Sequence, residues 1–354
     1  MNTLSYRNVL KDILESTILP EGISIEERET KLLPLSNHIS EHLPSRLFRY
    51  RNCSNKNIGA FKEDLLYAVT SDMFNDPYDC LFRFNQKMLR DSIMNGLSKD
   101  VLYAIREQLR AGGDFPNVLK DYFEKDFLDY AKENFLAAKD DELNRVSKDA
   151  KTIKSLLDAI INKVTEESVQ SVKKMTFISC FSEVVDSVIM WSHYANSHKG
   201  FALEYDAKIF RPQCFNCNNL KHCDKAVTCN LFPVIYHKQR YEATDFIGWC
   251  IGREMGLPIK NPDTFAIFKT LLFKSPQWSY EKEWRLIVCK VNDFQNKSPV
   301  CINNLRPKAI YYGTEISAIH KKKLHLIAKK KGIKEYQMYI DNNSSHYSLK
   351  AQKI

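Results

Sequence analysis

The sequence predicts an α+β fold: a mixed, mainly antiparallel sheet with flanking helices and one large helical insertion. Three observations carry that prediction. Short runs that alternate apolar and polar residues recur early and late in the chain, and helical periodicity surrounds them in no strict strand–helix–strand rhythm. The middle segment, residues 85–174, is charged, poor in Gly and Pro, and spaced like helices. Hydrophobic residues make up 44% and aromatics 12% of the 354 residues, enough to bury a sizeable core and too much for a disordered chain.

Residues 1–45 read as N-terminal helices, with Leu10, Ile13 and Leu14 on one apolar face. The first part of the core, 46–84, opens with a strand, Arg46–Arg51, in which Leu47, Arg49 and Arg51 alternate with Phe48 and Tyr50. A short helix over 57–64 and a strand over 65–69 follow. Phe74-Asn75-Asp76-Pro77-Tyr78-Asp79 is a turn, because Asn and Asp bond their own backbone and Pro77 stops a ladder. Residues 85–174 are the insertion, with Ile160, Ile161 and Val164 at helical spacing.

The second part of the core, 175–354, resumes with strands at 175–182, 200–206 and 232–237 and a short helix carrying Ile189, Met190 and Trp191. A helix near 262–273 precedes a strand in which Trp284, Leu286 and Val288 face one way and Glu283 and Arg285 the other. A strand at 308–312, a lysine-rich helix and two strands near Gln337 and Tyr347 close the chain.

No stretch approaches the roughly 20 apolar residues of a membrane span. The acidic N-terminal region has no apolar export segment, so a cytoplasmic protein is expected. Ten cysteines in that setting imply reduced thiols or metal ligands, with Cys180 and Cys289 read as small core residues. The net charge of +9 concentrates beyond Cys301, where eleven Lys and Arg face three Asp and Glu. That surface suits a nucleic acid or another phosphate-rich partner; it also suits a plain solvated lysine face. The insertion offers a place for a partner protein. No Gly-x-Gly-x-x-Gly, Walker A, His-Glu-x-x-His or Gly-x-Ser-x-Gly pattern occurs, which weighs against dinucleotide-fold, P-loop, zincin and α/β-hydrolase chemistry.

Cys214, Cys217, Cys223 and Cys229 lie in a cysteine-rich loop, 212–232, that is polar and lacks a core of its own. Four thiolates would complete a structural zinc tetrahedron with no open position; the other reading is reduced, metal-free thiols.

Four stretches carry a resemblance. They are Leu47-Phe48-Arg49-Tyr50-Arg51 with Phe74–Asp79; Ser179-Cys180-Phe181-Ser182; Met190-Trp191-Ser192-His193-Tyr194 with Lys199–Tyr205; and Trp278–Arg285. In content and order they resemble the bacterial family catalogued as domain of unknown function 2971, over most of 46–288. That family supplies no reaction. An arginine on the first strand and a glutamate at the start of a late strand also resemble the plan of ADP-ribosyltransferases. The plan implies NAD as substrate, with Arg49 on the dinucleotide and Glu283, or Glu281, stabilising the ribosyl cation. The residue types suit that chemistry. Arginine grips pyrophosphate with a bidentate fork, a fixed carboxylate stabilises a developing cation, and aromatic rings flank nicotinamide.

The expected site therefore has Glu283, Arg49 and His193 as catalytic residues. Arg49, Arg51, Asn75, Asp76, Tyr78, Trp191 and Tyr194 would hold NAD. A toxin or anti-phage defence setting with a protein or nucleic-acid acceptor goes with it. Other readings are a non-catalytic nucleic-acid or partner-binding module, a Mg²⁺ nuclease built on Asp76, Asp79, Glu204 and Glu283, and an ion-pair scaffold with no activity.

Overall fold

The computed structural model describes residues 3–96, 99–115, 120, 124–142, 150–210, 227–254, 263–290 and 299–354. The N-terminal region is not one helical tract. It breaks into helices Thr3–Ser16 and Ile25–Glu41. Between them Leu19 is fully buried, Pro20 bridges Asp263, and Gly22 turns with φ +80°. Ser24 then caps the second helix by accepting from the Glu27 N–H. The expected apolar face holds: Leu10 and Leu14 are completely buried.

The strands are β1 Arg46–Arg51, β2 Leu66–Thr70, β3 Thr176–Ser182, β4 Phe201–Asp206, β5 Val227–Pro233, β6 Ile235–Tyr236, β7 Phe273–Lys274, β8 Glu283–Lys290, β9 Val300–Ile302, β10 Ala309–Tyr312, β11 Lys334–Ile340 and β12 Leu349–Lys353. Ten of them form one sheet, and only β10 and β11 in it run parallel. The fold is α+β with a mixed, mostly antiparallel sheet. β6 and β7 form a separate parallel pair.

The sheet forks at β3. One edge of β3 carries β8 along its whole length, and β5 follows. The other edge is shared. β2 pairs only with Phe177 and Ile178, and β1 only with Ser182. β2 leads on to β9, whereas β1 leads to β4, β10, β11 and β12. No described strand pairs with Ser179, Cys180 and Phe181 on that edge. The expected first and late strands, β1 and β8, thus lie in one sheet on either side of β3.

Both faces are covered. Trp284, Leu286 and Val288 pack with Leu47 and Phe177 beneath helices Asn55–Lys62 and Ala318–Lys331, which contribute Phe61, Leu324 and Ala328. Burying each large apolar side chain stabilises by about 1.5–3 kcal/mol. The opposite face presents Ile178 and Ile287 to helices carrying Leu10, Leu14, Leu89, Ile161 and Ile247. Phe48, Tyr50 and Trp191 make a third cluster toward β10–β12.

Within 85–174 the regular elements described are the helices Gln86–Gly96, Lys99–Arg110, Lys125–Ala137 and Ala150–Met175. The first and last pack on helix Thr244–Glu254 over the core, and the middle two pack on each other. Arg106 ties that outer pair by donating to the Ala138 carbonyl and to Asp140. Ala150–Met175 runs directly into β3, so the excursion returns the chain to the fork. Among the described residues no helix is long and apolar enough to cross a membrane.

Candidate functional site

A cleft of about 390 Å³ opens where β1 and β2 diverge from β3. On the β1 wall, Arg49 is 7% exposed. Its Nη2 donates to the Tyr67 carbonyl at 2.7 Å, and its guanidinium lies 5.5 Å from the Phe181 ring centre. Nε and Nη1 are buried and find no partner among the described residues. Each unmet buried donor costs about 1–3 kcal/mol, so an acceptor entering here would relieve a standing penalty. Arg51 also lines the cleft. Burial lowers its pKa to about 10, opposed by Tyr205 and Cys180, and it stays charged at neutral pH.

The opposite wall is a dense ionic network. Glu281 ends the 3-10 turn Pro276–Glu281, and Glu283 begins β8. Lys282 between them adopts φ +42°, a left-handed conformation uncommon for a residue with a Cβ. Both carboxyls reach Lys274 Nζ, at 2.6 and 3.0 Å. Glu283 also accepts from Arg285 Nε at 2.9 Å, and Arg285 in turn donates to Asp79 at 2.7 Å and to the Leu271 carbonyl at 2.6 Å. Tyr194 donates to Glu281 at 2.5 Å and accepts from Asn75 Nδ2 at 3.3 Å. His193 Nδ1 lies 3.1 Å from the Tyr280 hydroxyl.

Three carboxyls thus face two cations, and their ionisation splits. Burial, then the charge of Glu283, pushes Glu281 up to about 7 against the pull of Lys274 and Tyr194. Burial also opposes ionisation of Glu283, but Arg285 and Lys274 overcome it and hold its carboxyl well below the usual range. Two carboxyls driven apart in this way are suited to different tasks, one to carry a proton and one to hold a charge. Cys180, expected as plain core, lines the cleft and bonds Glu283, while burial keeps it a thiol.

Strand alternation alone does not unite Arg49 with Glu283. Ser182 pairs with both Phe48 and Glu283, which puts Glu283 on the Phe48 face of the sheet. Arg49 is on the other face. The two line one cleft because the fork lets it pass between the strands.

Of the expected site, Arg49, Arg51, Asn75, His193, Tyr194 and Glu283 line the cleft. Asp76, Tyr78 and Trp191 are not among its lining residues. Asp76 accepts from the Tyr78 N–H within its own turn, and Tyr78 is 62% exposed beneath Arg240. Trp191 is fully buried, donates to the Val185 carbonyl and packs edge-on against Tyr50. The carboxylates grouped for a nuclease are also dispersed. Asp79 and Glu283 are taken up by Lys274 and Arg285, while Glu204, on β4, accepts from Tyr311 on β10. Cys214, Cys217 and Cys223 lie outside the described residues, and so does the Cys229 side chain. Lys274 was missing from the sequence reading. Its one signal was a lone charge after Leu271-Leu272-Phe273, where an unpaired lysine would be costly.

Residues 190–286 match the family model described as "Protein of unknown function (DUF2971)", the family that the four stretches resemble. The match takes in Tyr194, Lys274, Glu281, Glu283 and Arg285 and leaves out β1. No curated protein and no solved structure gives a significant match.

Proposed function

We propose that the cleft binds NAD and transfers its ADP-ribosyl group to an acceptor. The bond from nicotinamide to ribose C1′ breaks with its electron pair leaving on the ring nitrogen, which becomes neutral nicotinamide. The acceptor atom bonds C1′, and its proton passes to Glu281. Glu283, held ionised, supplies the fixed negative charge that stabilises the oxocarbenium-like transition state. The open nitrogens of Arg49 take the pyrophosphate, with Arg51 beside them. Tyr194 and His193 supply polar contacts near the reacting ribose.

One observation carries this reading. A buried arginine with two unmet donors faces a carboxyl pair whose protonation has been driven apart. The acceptor is a protein or a nucleic acid. The basic helix Ala318–Lys331 favours phosphate-rich partners. Such an activity would suit a toxin or a defence effector.

The test uses labelled NAD with the purified chain and a cell lysate. Label should reach a macromolecule and nicotinamide should be released. Glu283→Gln should keep thermal protection by NAD and lose turnover by about 10²–10³-fold. Overexpression should harm the host with the wild type and not with Glu283→Gln. If no label moves, no nicotinamide appears and NAD gives no protection, the same residues are an ion-pair scaffold.

A further inference from the structure

We propose that His38, Glu41 and His42 form a binding site for a zinc-class divalent metal at the end of helix Ile25–Glu41. One donor atom from each of the three lies within 4.8 Å of the other two. Positions three and four apart share a helical face, which puts both imidazoles and the carboxylate on the same side. His42 is the C-cap residue. The last turn of a helix carries partial negative charge, which favours a cation there.

The second observation is the state of the imidazoles. His38 Nε2 lies 2.8 Å from the Tyr6 carbonyl, and His42 Nδ1 lies 2.8 Å from the His38 carbonyl. A carbonyl only accepts, so each of these nitrogens carries the ring proton. That leaves the other nitrogen of each ring as the one that can serve as a ligand atom. Fixing one ring nitrogen on a carbonyl is how metal-ligating histidines are oriented. Tyr6 stacks on His42, with ring centres 4.8 Å apart and planes 9° off parallel, which steadies that ring.

The donor set selects the metal class. Two nitrogens and one oxygen suit zinc and its neighbours; calcium and magnesium prefer all-oxygen shells. A tetrahedral ion at about 2.0–2.2 Å needs donors closer together than 4.8 Å. Glu41 is exposed and can swing inward to close the site. Three protein ligands leave a fourth position for water or an incoming group.

Hydrogen bonds run from Tyr6 beside the site to the backbone of Glu283. The Tyr6 hydroxyl donates to Glu183 Oε1 at 2.7 Å, and Arg7 Nη2 and Trp284 Nε1 donate to the same oxygen at 2.7 Å. Arg7 further bonds the Glu283 carbonyl at 3.2 Å and the Val234 carbonyl. A metal at His42 would therefore brace the residues behind Glu283.

Titration of the full chain with cobalt(II), followed by visible absorption, tests the assignment. Expected is one equivalent bound with nitrogen–oxygen d–d bands and no thiolate charge-transfer band, which separates this site from any cysteine site. That equivalent should vanish in His38→Ala/His42→Ala. Zinc should raise the melting temperature of the wild type by an increment that the double variant lacks. Glu41→Gln changes only an exposed side chain and should weaken uptake by about 10–100-fold or more, the range typical for disturbing a metal shell. It decides the matter if the double variant does not fold. Cobalt bound solely with a thiolate band, or uptake unchanged by Glu41→Gln or by the double variant, would overturn the assignment.

Discussion

On the β8 wall of the cleft, Glu283 meets Arg285 at 2.9 Å and Lys274 at 3.0 Å, and Arg285 also holds Asp79 and a backbone carbonyl. On the β1 wall, Arg49 is nearly as deeply buried, yet only Nη2 of its three nitrogens has a partner among the described residues. Both walls bury charged side chains; they differ in saturation. A saturated network has little left to offer a ligand and much to lose by truncation. An unsaturated one is the reverse, because its desolvation cost is already present in the folded chain.

Four substitutions break or sharpen that contrast. Arg285→Ala should have the largest effect. It leaves Lys274 alone against the buried carboxyls of Asp79, Glu281 and Glu283 and should cost about 3–5 kcal/mol of stability in urea denaturation. Next comes Glu281→Gln. Removing the proton carrier should lower turnover by about 10²–10³-fold and abolish the limb of the pH–rate profile near 7. The accompanying stability change has a definite sign. The folded carboxyl binds its proton more tightly than the unfolded one. Wild-type stability therefore falls as pH rises from about 4.5 to about 7, and the loss is complete above that window. Glu281→Gln should flatten the decline. Glu283 has the opposite linkage: its contribution is present above its unfolded pKa and is lost as pH falls toward its depressed folded value.

Arg49→Ala should be third, and its signature should be inverted relative to Arg285→Ala. NAD affinity, read by calorimetry, should drop about 10–100-fold, as expected for one or two charge-assisted hydrogen bonds. Stability should fall by no more than about 1 kcal/mol, because the loss of one hydrogen bond is offset by removal of two buried donors that have no partner among the described residues. Equal stability losses in Arg49→Ala and Arg285→Ala would erase the distinction between the walls. Smallest is Tyr78→Ala. Tyr78 stands outside the cleft, and NAD binding should change by no more than about two-fold.

Much of the fold was legible because it rests on local periodicity. β1 and β8 alternate apolar and polar residues, the N-terminal helices carry Leu10 and Leu14, and the insertion has helical spacing. The break at Leu19–Gly22 escaped because Leu19 is anchored by Asp263, far away in the chain. The cleft was legible only in part. Alternation gives the face of a strand but not the splitting of a sheet, so the way Arg49 and Glu283 come to line one cleft is not visible in the sequence. Trp191 and Tyr78 looked alike as aromatic candidates, and only tertiary packing separates the buried ring from the exposed one. Lys274 has no partner within its own segment's pattern. Its role exists only once Asp79, Glu281 and Glu283 surround it. The sequence favoured Glu283 by facing, whereas the division of labour with Glu281 depends on a left-handed Lys282 that no pattern announces.

The fork at β3 also bears on time. Most amides in a ten-stranded sheet are locked in ladders and exchange with solvent only when a large part of the sheet opens. Around Ser179–Phe181, the amides that point away from β8 have no described strand across from them. In deuterium they should exchange well before their neighbours on the β8 edge, leaving a fast stripe along one side of a slow strand. A molecule lodged in the cleft would shield that stripe. The backbone itself is then a clock, and the slowing of those amides would time the arrival of whatever the cleft receives.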